Sequence, residues 1–400
     1  MNQDWVKKIY SRTKEVPVAS GRSKKWGRVS FEDLLFMPAQ LSRRPVDYYR
    51  EKVEAELIVG RSSRKPFRIK TPIIIGAMSF GALSREAKIA LAKGSALAGT
   101  CGNTGEGGML PEEREFSNRL IIQYSTGRFG ISEEVLKKAD AVEIKIGQGA
   151  KAGMGGLLPG SKVTEEIAKV RNVPVNKAVH SPPYHPDIKN DSDLRKKVSW
   201  LREITGGVPV IIKLGGGDVE EDVKIALKAQ PDVIAIDGME GGTGASPEVM
   251  LDEVGLPTIA TLVKARNVLD EAGAEQELWI GGGFNTGSDI AKALALGADA
   301  VFLGTSLLIA MGCLGYPNCG ICRMGKCPKG IATQEPELRK RLNIETASEN
   351  VANFIKNCTE EAKMIAAACG ENDVHKLSKD RLRALTLEMA KIAGVKLIWQ

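Results

Sequence analysis

The chain lacks the features that would take it into or across a membrane. Its opening residues, Met1-Asn2-Gln3-Asp4-Trp5-Val6-Lys7-Lys8, hold no apolar signal core, and no later run approaches the roughly 18 apolar residues a span requires. A cytoplasmic protein without a membrane partner is the expectation. Long basic tracts are missing too: the net charge is +7, but the basic residues are interleaved with 49 acidic ones and only short clusters such as Arg22-Ser23-Lys24-Lys25 stand out. That argues against nucleic acid and leaves acidic small substrates or an acidic redox partner. No apolar run leads into a G-x-G-x-x-G turn with an acid about 20 residues on, so a doubly wound nicotinamide-binding sheet is disfavoured. There is no low-complexity tract, no transposed repeat and no linker long enough to separate two free domains.

What is present is ordinary globular composition, 43% hydrophobic and 26% charged, over 400 residues. The 43 glycines gather in short runs that follow apolar segments, which points to ligand loops. From residue 71 onward, apolar runs alternate with amphipathic helical patterns. The expected strands are 72–78, 98–103, 141–146, 175–180, 208–214, 233–237, 278–282 and 300–304, with 121–125 as a less certain ninth. Eight βα units in about 235 residues fit a (β/α)8 TIM barrel of the α/β class. The expected organisation is an N-terminal extension over 1–70, a barrel over 71–312, a cysteine-rich loop over 313–334 and a C-terminal helical cap over 335–400. The extension carries aromatic anchors at Trp5, Trp26, Phe31, Phe36, Tyr48 and Tyr49, and the cap repeats Val351, Phe354, Ile355 and Met364, Ile365, Ala368 at helical spacing.

The chemistry-bearing residues sit after the strands. Gly281-Gly282-Gly283-Phe284-Asn285-Thr286-Gly287-Ser288-Asp289 and Phe302-Leu303-Gly304-Thr305-Ser306 end the last two expected strands, neighbours in a barrel. Their backbone N–H groups can converge on a phosphate at a helix N-terminus. Asp237-Gly238-Met239-Glu240-Gly241-Gly242-Thr243-Gly244-Ala245-Ser246 closes another strand and can line the same mouth. Lys213 ends a strand as an ammonium near an apolar stretch, suited to a flavin ring that gains negative charge on reduction. Glu106 lies between glycines in Asn103-Thr104-Gly105-Glu106-Gly107-Gly108. Lys145, Gln148, Lys151, Lys162 and Arg171 follow, a set of donors and cations suited to a dicarboxylic keto-acid.

Four of the seven cysteines form Cys313-x5-Cys319-x2-Cys322-x4-Cys327-Pro328. In a reducing compartment such spacing means metal or redox chemistry rather than disulfides. An iron–sulfur cluster is favoured, because the loop follows the phosphate strand and would sit close to a flavin, with a structural zinc as the alternative. Cys101, Cys358 and Cys369 read as small buried hydrophobes.

The chain carries, in this order, Met78-Ser79-Phe80-Gly81-Ala82-Leu83-Ser84, Asn103 to Gly108, Ser125-Thr126-Gly127-Arg128-Phe129-Gly130, Lys145 to Lys151, Leu158-Pro159-Gly160, Ser181-Pro182-Pro183, Gly241 to Pro247 and Cys327-Pro328-x-Gly330-Ile331-Ala332-Thr333-Gln334. These runs resemble, in the family's order, the FMN domain of glutamate synthase. The resemblance implies an FMN barrel that reduces 2-iminoglutarate, formed from 2-oxoglutarate and ammonia, to glutamate. It implies that Met78 and Ser79 border the flavin and Lys213 approaches its ring. Gly282, Gly283, Gly304 and Thr305 hold the phosphate, with Gly242 and Thr243 in the same cofactor site. Ammonia arrives at Glu106, which with Lys145 and Lys151 makes up the catalytic set, while Lys145, Gln148, Lys151 and Arg171 bind the keto-acid. Electrons pass from an iron–sulfur cluster to FMN.

The sequence departs from that pattern in three ways. The family loop has three cysteines, spaced C-x5-C-x4-C, for a [3Fe-4S] cluster; the additional thiolate here allows [4Fe-4S]. Met154 and Leu157 stand where the large enzymes often place polar residues. Neither an amidotransferase domain nor a glycine-rich β-helix is expected in this chain. Ammonia would come from solution or a separate glutaminase subunit, the β-helix from another subunit, and electrons from ferredoxin or an NAD(P)H reductase subunit. The chain also resembles the flavin subunit of N-methylglutamate synthase, which uses methylamine. A non-catalytic FMN and iron–sulfur electron relay is the alternative from a different class.

Overall fold

The computed structural model describes residues 4–400 except 14, 24, 26–28, 316 and 317. Eight short runs, all but the second rich in β-branched or aliphatic residues, form parallel strands: β1 (Ile73–Ile75), β2 (Cys101–Asn103), β3 (Arg119–Tyr124), β4 (Ala141–Lys145), β5 (Val210–Gly215), β6 (Val233–Asp237), β7 (Glu277–Gly281) and β8 (Ala300–Leu303). Their hydrogen-bonded order is β1-β8-β7-β6-β5-β4-β3-β2. This is a (β/α)8 barrel with one open seam, since among the described residues no ladder joins β1 to β2. At the lower part of that seam the Thr100 hydroxyl donates to Ile73 O.

One strand expectation needs correction. Residues 175–180 do not supply a barrel strand; only Val179–His180 is extended, paired antiparallel with Leu157–Leu158 outside the barrel. The third stave is β3, built on the segment 121–125. The physical reason is local. Val175 is exposed and Asn176 adopts a left-handed backbone (φ 57), which breaks a strand, whereas Leu120 to Tyr124 are buried throughout.

Side-chain alternation divides each strand between two environments. Ile73, Ile122, Val142, Ile212 and Ile234 face the surrounding helices. Ile74, Cys101, Ile121, Ala141, Ile211, Val233, Trp279 and Ala300 face inward, where they join Leu57, Val59, Phe67 and Ile69 in a second core. Those last four come from an antiparallel hairpin, Leu57–Val59 with Phe67–Ile69, which plugs the N-terminal end of the barrel. Glu277 fastens the plug by accepting from Gly60 N at 2.7 Å and from its own barrel's Trp279 Nε1 at 3.1 Å.

The N-terminal segment reaches across to the opposite end. Val18–Gly21 pairs antiparallel with Thr243–Pro247, part of the loop after β6, and so borders the mouth of the barrel. Phe31 is buried against Phe284, with ring centroids 5.2 Å apart. Tyr49 is exposed, so it is not an anchor; Trp26 and the Trp5 side chain lie outside the described residues. The long helix Ile344–Ala368 packs on Arg85–Ala98 and Gly287–Ala295 through Val351, Ile355, Cys358 and Ala362. Met364, expected in that stripe, faces solvent. Cys101, Cys358 and Cys369 are buried, as expected. Among the described residues no helix is long and apolar enough to cross a membrane.

Candidate active site

A cavity of about 290 Å³ opens at the C-terminal ends of the strands. Of the residues expected to form the site, Met78, Ser79, Glu106, Lys145, Gln148, Lys151, Arg171, Lys213, Gly242, Thr243, Gly282, Gly283, Gly304, Thr305, Cys313, Cys319 and Cys322 all line it. Cys327 is buried beside it rather than in its wall.

Glu106 hangs from the loop after β2, and Lys145 ends β4. Their side chains meet, with Lys145 Nζ 2.8 Å from Glu106 Oε2 and 2.6 Å from Gln148 Oε1. Two glycines make this possible. A Cβ on Gly156 would fall 2.2 Å from Glu106 Oε1, and Gly105, at φ 66, would place one 2.7 Å from Ser79 N. Burial works to raise the Glu106 pKa, but Lys145, Arg171 and Lys151 outweigh it and hold the carboxyl below its ordinary value, so it stays ionised. Lys151 is buried at the cavity wall, and its pKa is lowered by burial against the pull of Glu106.

Arg171 occupies a different position from the one a substrate ligand would need alone. Its Nε and one terminal nitrogen donate to Phe80 O at 3.0 and 2.6 Å, and that terminal nitrogen lies 3.1 Å from Ser79 Oγ. Burial lowers its pKa to about 10. Much of this guanidinium is therefore spent in holding the β1 loop.

Below the cavity lies a polar layer. Glu143, fully buried on β4, is 3.0 Å from Lys213 Nζ on β5 and accepts from Asn103 Nδ2 on β2 at 3.3 Å and from Gln123 Nε2 on β3. Asp237 Oδ2 on β6 lies 3.8 Å from the same ammonium. Burial acts to lower the Lys213 pKa, and Glu143 and Asp237 overturn it, leaving lysine above its ordinary value. Lys213 thus carries its charge to the cavity floor within a network that spans five strands.

The two glycine loops flank the cavity on the β7–β8 side. Gly282 and Gly283 have φ 119 and 83, and a Cβ on Gly282 would strike Thr258 Oγ1 at 2.4 Å. Around the Cβ direction of Gly304 nothing lies within 4 Å, which leaves room for a bound group. The helix Gly287–Ala295 does not offer its N-terminus to a phosphate, contrary to expectation. Asp289 Oδ2 caps Asn285 N and Thr286 N, and Glu361 Oε2 accepts from Gly287 N.

Residues 15–372 match the conserved region of glutamate synthase. The chain belongs to the glutamate synthase family. It is 44% identical over 384 residues to a glutamate synthase large subunit-like protein of Rhizobium meliloti, covering 92% of this chain and 87% of that one. An archaeal-type glutamate synthase [NADPH] of Thermotoga maritima is 37% identical over 393 residues, with 92% and 77% covered. Among solved structures, a mandelate oxidase variant with a monooxide FMN adduct superposes with a TM-score of 0.57 at 17% identity, over 91% of this chain and 93% of that one, which supports the barrel fold. Membership of the family makes the chain an oxidoreductase.

The cysteine loop of this glutamate synthase relative borders the same cavity. Burial first, then the neighbouring cysteines, raise the pKa of Cys313 and push that of Cys322 to about 11. The four thiols therefore share one electrostatic neighbourhood, and the donor set suits a soft-metal cluster. Among the described residues, however, no group of three or more Cys, His, Asp or Glu side chains stands in metal-holding geometry. Lys162, expected at the substrate mouth, lines the cavity as well, where it lies under this loop. It is buried, it reaches toward Ala332 O at 3.5 Å, and Cys322 and Cys327 oppose the burial that lowers its pKa.

Sequence reasoning missed Ser20, Arg22, Gln123 and Glu143. Ser20 Oγ donates to Gly244 O at 2.6 Å and accepts from Arg323 N at 3.0 Å, so it ties the N-terminal strand to the β6 loop and the cysteine loop. Arg22 lines the cavity and donates to Asn285 Oδ1 at 3.1 Å. No local pattern marks these two. Gln123 and Glu143 did leave a signal, namely polar side chains on the inward parity of otherwise apolar strands.

Proposed function

We propose that this chain binds FMN in the cavity and catalyses reductive amination of 2-oxoglutarate, through 2-iminoglutarate, to glutamate. The observation that carries the reading is the ionised Glu106 paired with Lys145 and flanked by Gln148 and Lys151, within one cavity with two phosphate-suited glycine loops. Bound FMN would supply the hydride that reduces the imine carbon. Gly283, Gly304 and Thr305, with Arg22 as the nearby cation, are the residues suited to its phosphate. Met78 and Ser79 border its ring, Gly242 and Thr243 lie in the same site, and Lys213 presents positive charge from below.

Gln148 and Lys151 hold the keto-acid carboxylates by charge-assisted bonds, and Arg171 contributes through the same wall while fixing Ser79. Ammonia held at Glu106 Oε2 attacks the keto carbon; the two protons its nitrogen then gives up pass through Glu106 Oε2 and Lys145 Nζ to the keto oxygen, which leaves as water. Cys313, Cys319, Cys322 and Cys327 are the residues that would hold an iron–sulfur cluster, three- or four-iron, feeding electrons into the site. The relatives named for NADPH support a nicotinamide-fed reductase subunit rather than ferredoxin as the upstream donor. A separate glutaminase subunit is the proposed ammonia source, alongside a β-helix subunit.

Leu157 gives methylamine standing as a competing amine, because this apolar side chain lines the cavity next to the glycine that seats Glu106. Chemically reduced protein supplied with 2-oxoglutarate and either ammonia or methylamine separates the two. Glutamate from ammonia supports the main reading, N-methylglutamate the other, and neither product removes both in favour of an electron relay.

A further inference from the structure

The open seam between β1 and β2 lies under the two loops that carry Ser79 and Glu106, so something other than a ladder must set the spacing between them. Lys88 occupies that place. It rises from the helix Arg85–Ala98, is buried, and its ammonium contacts Met78 O at 2.5 Å on one side of the seam. On the other side it reaches Asn103 O at 2.9 Å and Thr104 O at 3.1 Å. Its fourth neighbour is Glu113 Oε1 at 2.9 Å, a buried carboxylate whose Oε2 accepts from Leu110 N at 2.9 Å.

A lysine has three N–H donors and no acceptor, so this set of oxygens saturates it. Two charges taken out of water to this degree are costly unless fully partnered, and a hydrophobic pair would pack the same volume more cheaply. The carbonyls it grips belong to the residues immediately before Ser79 and Gly105-Glu106. Gly105 packs its backbone directly against Met78 and Ser79 at this height, but among the described residues no other side chain is seen to hydrogen-bond to carbonyls on both sides of the seam there; the hydroxyl of Thr100 serves the lower end.

We propose that Lys88, with Glu113 as its counter-ion, is a positioning residue that latches the barrel seam and fixes Ser79 and Glu106 relative to one another. The inference rests on the proposed function only for the ligand used in one of its readouts. The double variant K88M/E113L removes both charges together and leaves no unpaired buried ion. It is expected to fold with a lowered melting temperature, because Met78 O, Asn103 O, Thr104 O and Leu110 N lose these partners, while weakening 2-oxoglutarate binding at least tenfold. Amide exchange at residues 79–80 and 105–106 should accelerate together at least tenfold, with β5 to β7 unchanged. E113Q, which keeps the ammonium on its three carbonyls, should retain keto-acid affinity within threefold.

A folded double variant with unchanged amide exchange in both loops overturns the latch, whatever the ligand does. Should the wild-type protein fail to bind 2-oxoglutarate, the substrate assignment falls and the exchange measurement alone decides the latch. If the double variant does not fold, K88R serves in its place. Its planar guanidinium cannot present three donors as a tripod, and the latch predicts the same paired acceleration; slow exchange in both loops of K88R would contradict it.

Discussion

Glu106, on the loop after β2, and Lys145, the last residue of β4, are separated by a full barrel stave, yet their side chains meet at 2.8 Å inside the cavity. Neither charge is buried alone, and the pair faces the same space as Gln148 and Lys151. If Glu106 handles the amine proton, Glu106→Gln should cut kcat about 100-fold while leaving the KM for 2-oxoglutarate nearly unchanged. Steady-state kinetics with ammonia checks this. A large rise in KM with unaltered kcat would assign Glu106 to substrate binding instead.

Lys151 should behave in the opposite sense. A charge-assisted bond to a carboxylate contributes about 1.5–3 kcal/mol, so Lys151→Met should weaken keto-acid binding by roughly 10- to 100-fold. Titration of the flavin absorbance with 2-oxoglutarate reads it directly. The burial that lowers this lysine's pKa adds a pH test: keto-acid affinity should fall at alkaline pH earlier than an exposed lysine would allow.

The polar layer beneath the cavity predicts redox behaviour. Glu143→Gln makes the surroundings of Lys213 one unit more positive, which favours a reduced, negatively charged flavin and should raise its midpoint potential. Lys213→Met should lower it. Shifts of opposite sign from two residues 3.0 Å apart are not what general loosening of the barrel produces. Spectroelectrochemistry of both variants is the check, and shifts in the same direction would contradict the account.

At the other end of the barrel, burial first and Asp299 second raise the Glu277 pKa from its ordinary 4.5 to about 7. A carboxyl raised on folding holds its proton more tightly in the native state. Its stabilising contribution is complete below the unfolded value and is lost as pH rises through about 7, at about 1.4 kcal/mol per pH unit. Denaturant unfolding between pH 4.5 and 7 should therefore show a falling contribution that Glu277→Gln abolishes. An identical slope in the variant would refute the assignment.

Much of this arrangement was legible in the sequence because the barrel writes itself locally. Runs such as Val-Ile-Ile-Lys at β5 and glycine clusters after strands each report their own surroundings. The third stave was harder, since Arg119–Tyr124 is followed closely by turn residues while 175–180 carries comparable β-branched residues. The difference lay in Asn176 and in exposure, which only packing reveals. Arg22 and Ser20 reach the site by long-range strand pairing with Thr243–Pro247, and no sequence period encodes such a contact. Arg171 and Lys162 were recognised as site cations, but what each touches, Phe80 O in one case and the cysteine loop in the other, depends on tertiary geometry.

The most direct test is the absorbance spectrum of anaerobically purified protein, with flavin, iron and sulfide quantified on the same sample and 2-oxoglutarate then titrated in. The account predicts stoichiometric FMN, iron and sulfide, and a flavin band that shifts with the keto-acid in the wild type but not in Lys151→Met at the same concentrations. A chain without flavin, or a flavin band indifferent to 2-oxoglutarate, would contradict it.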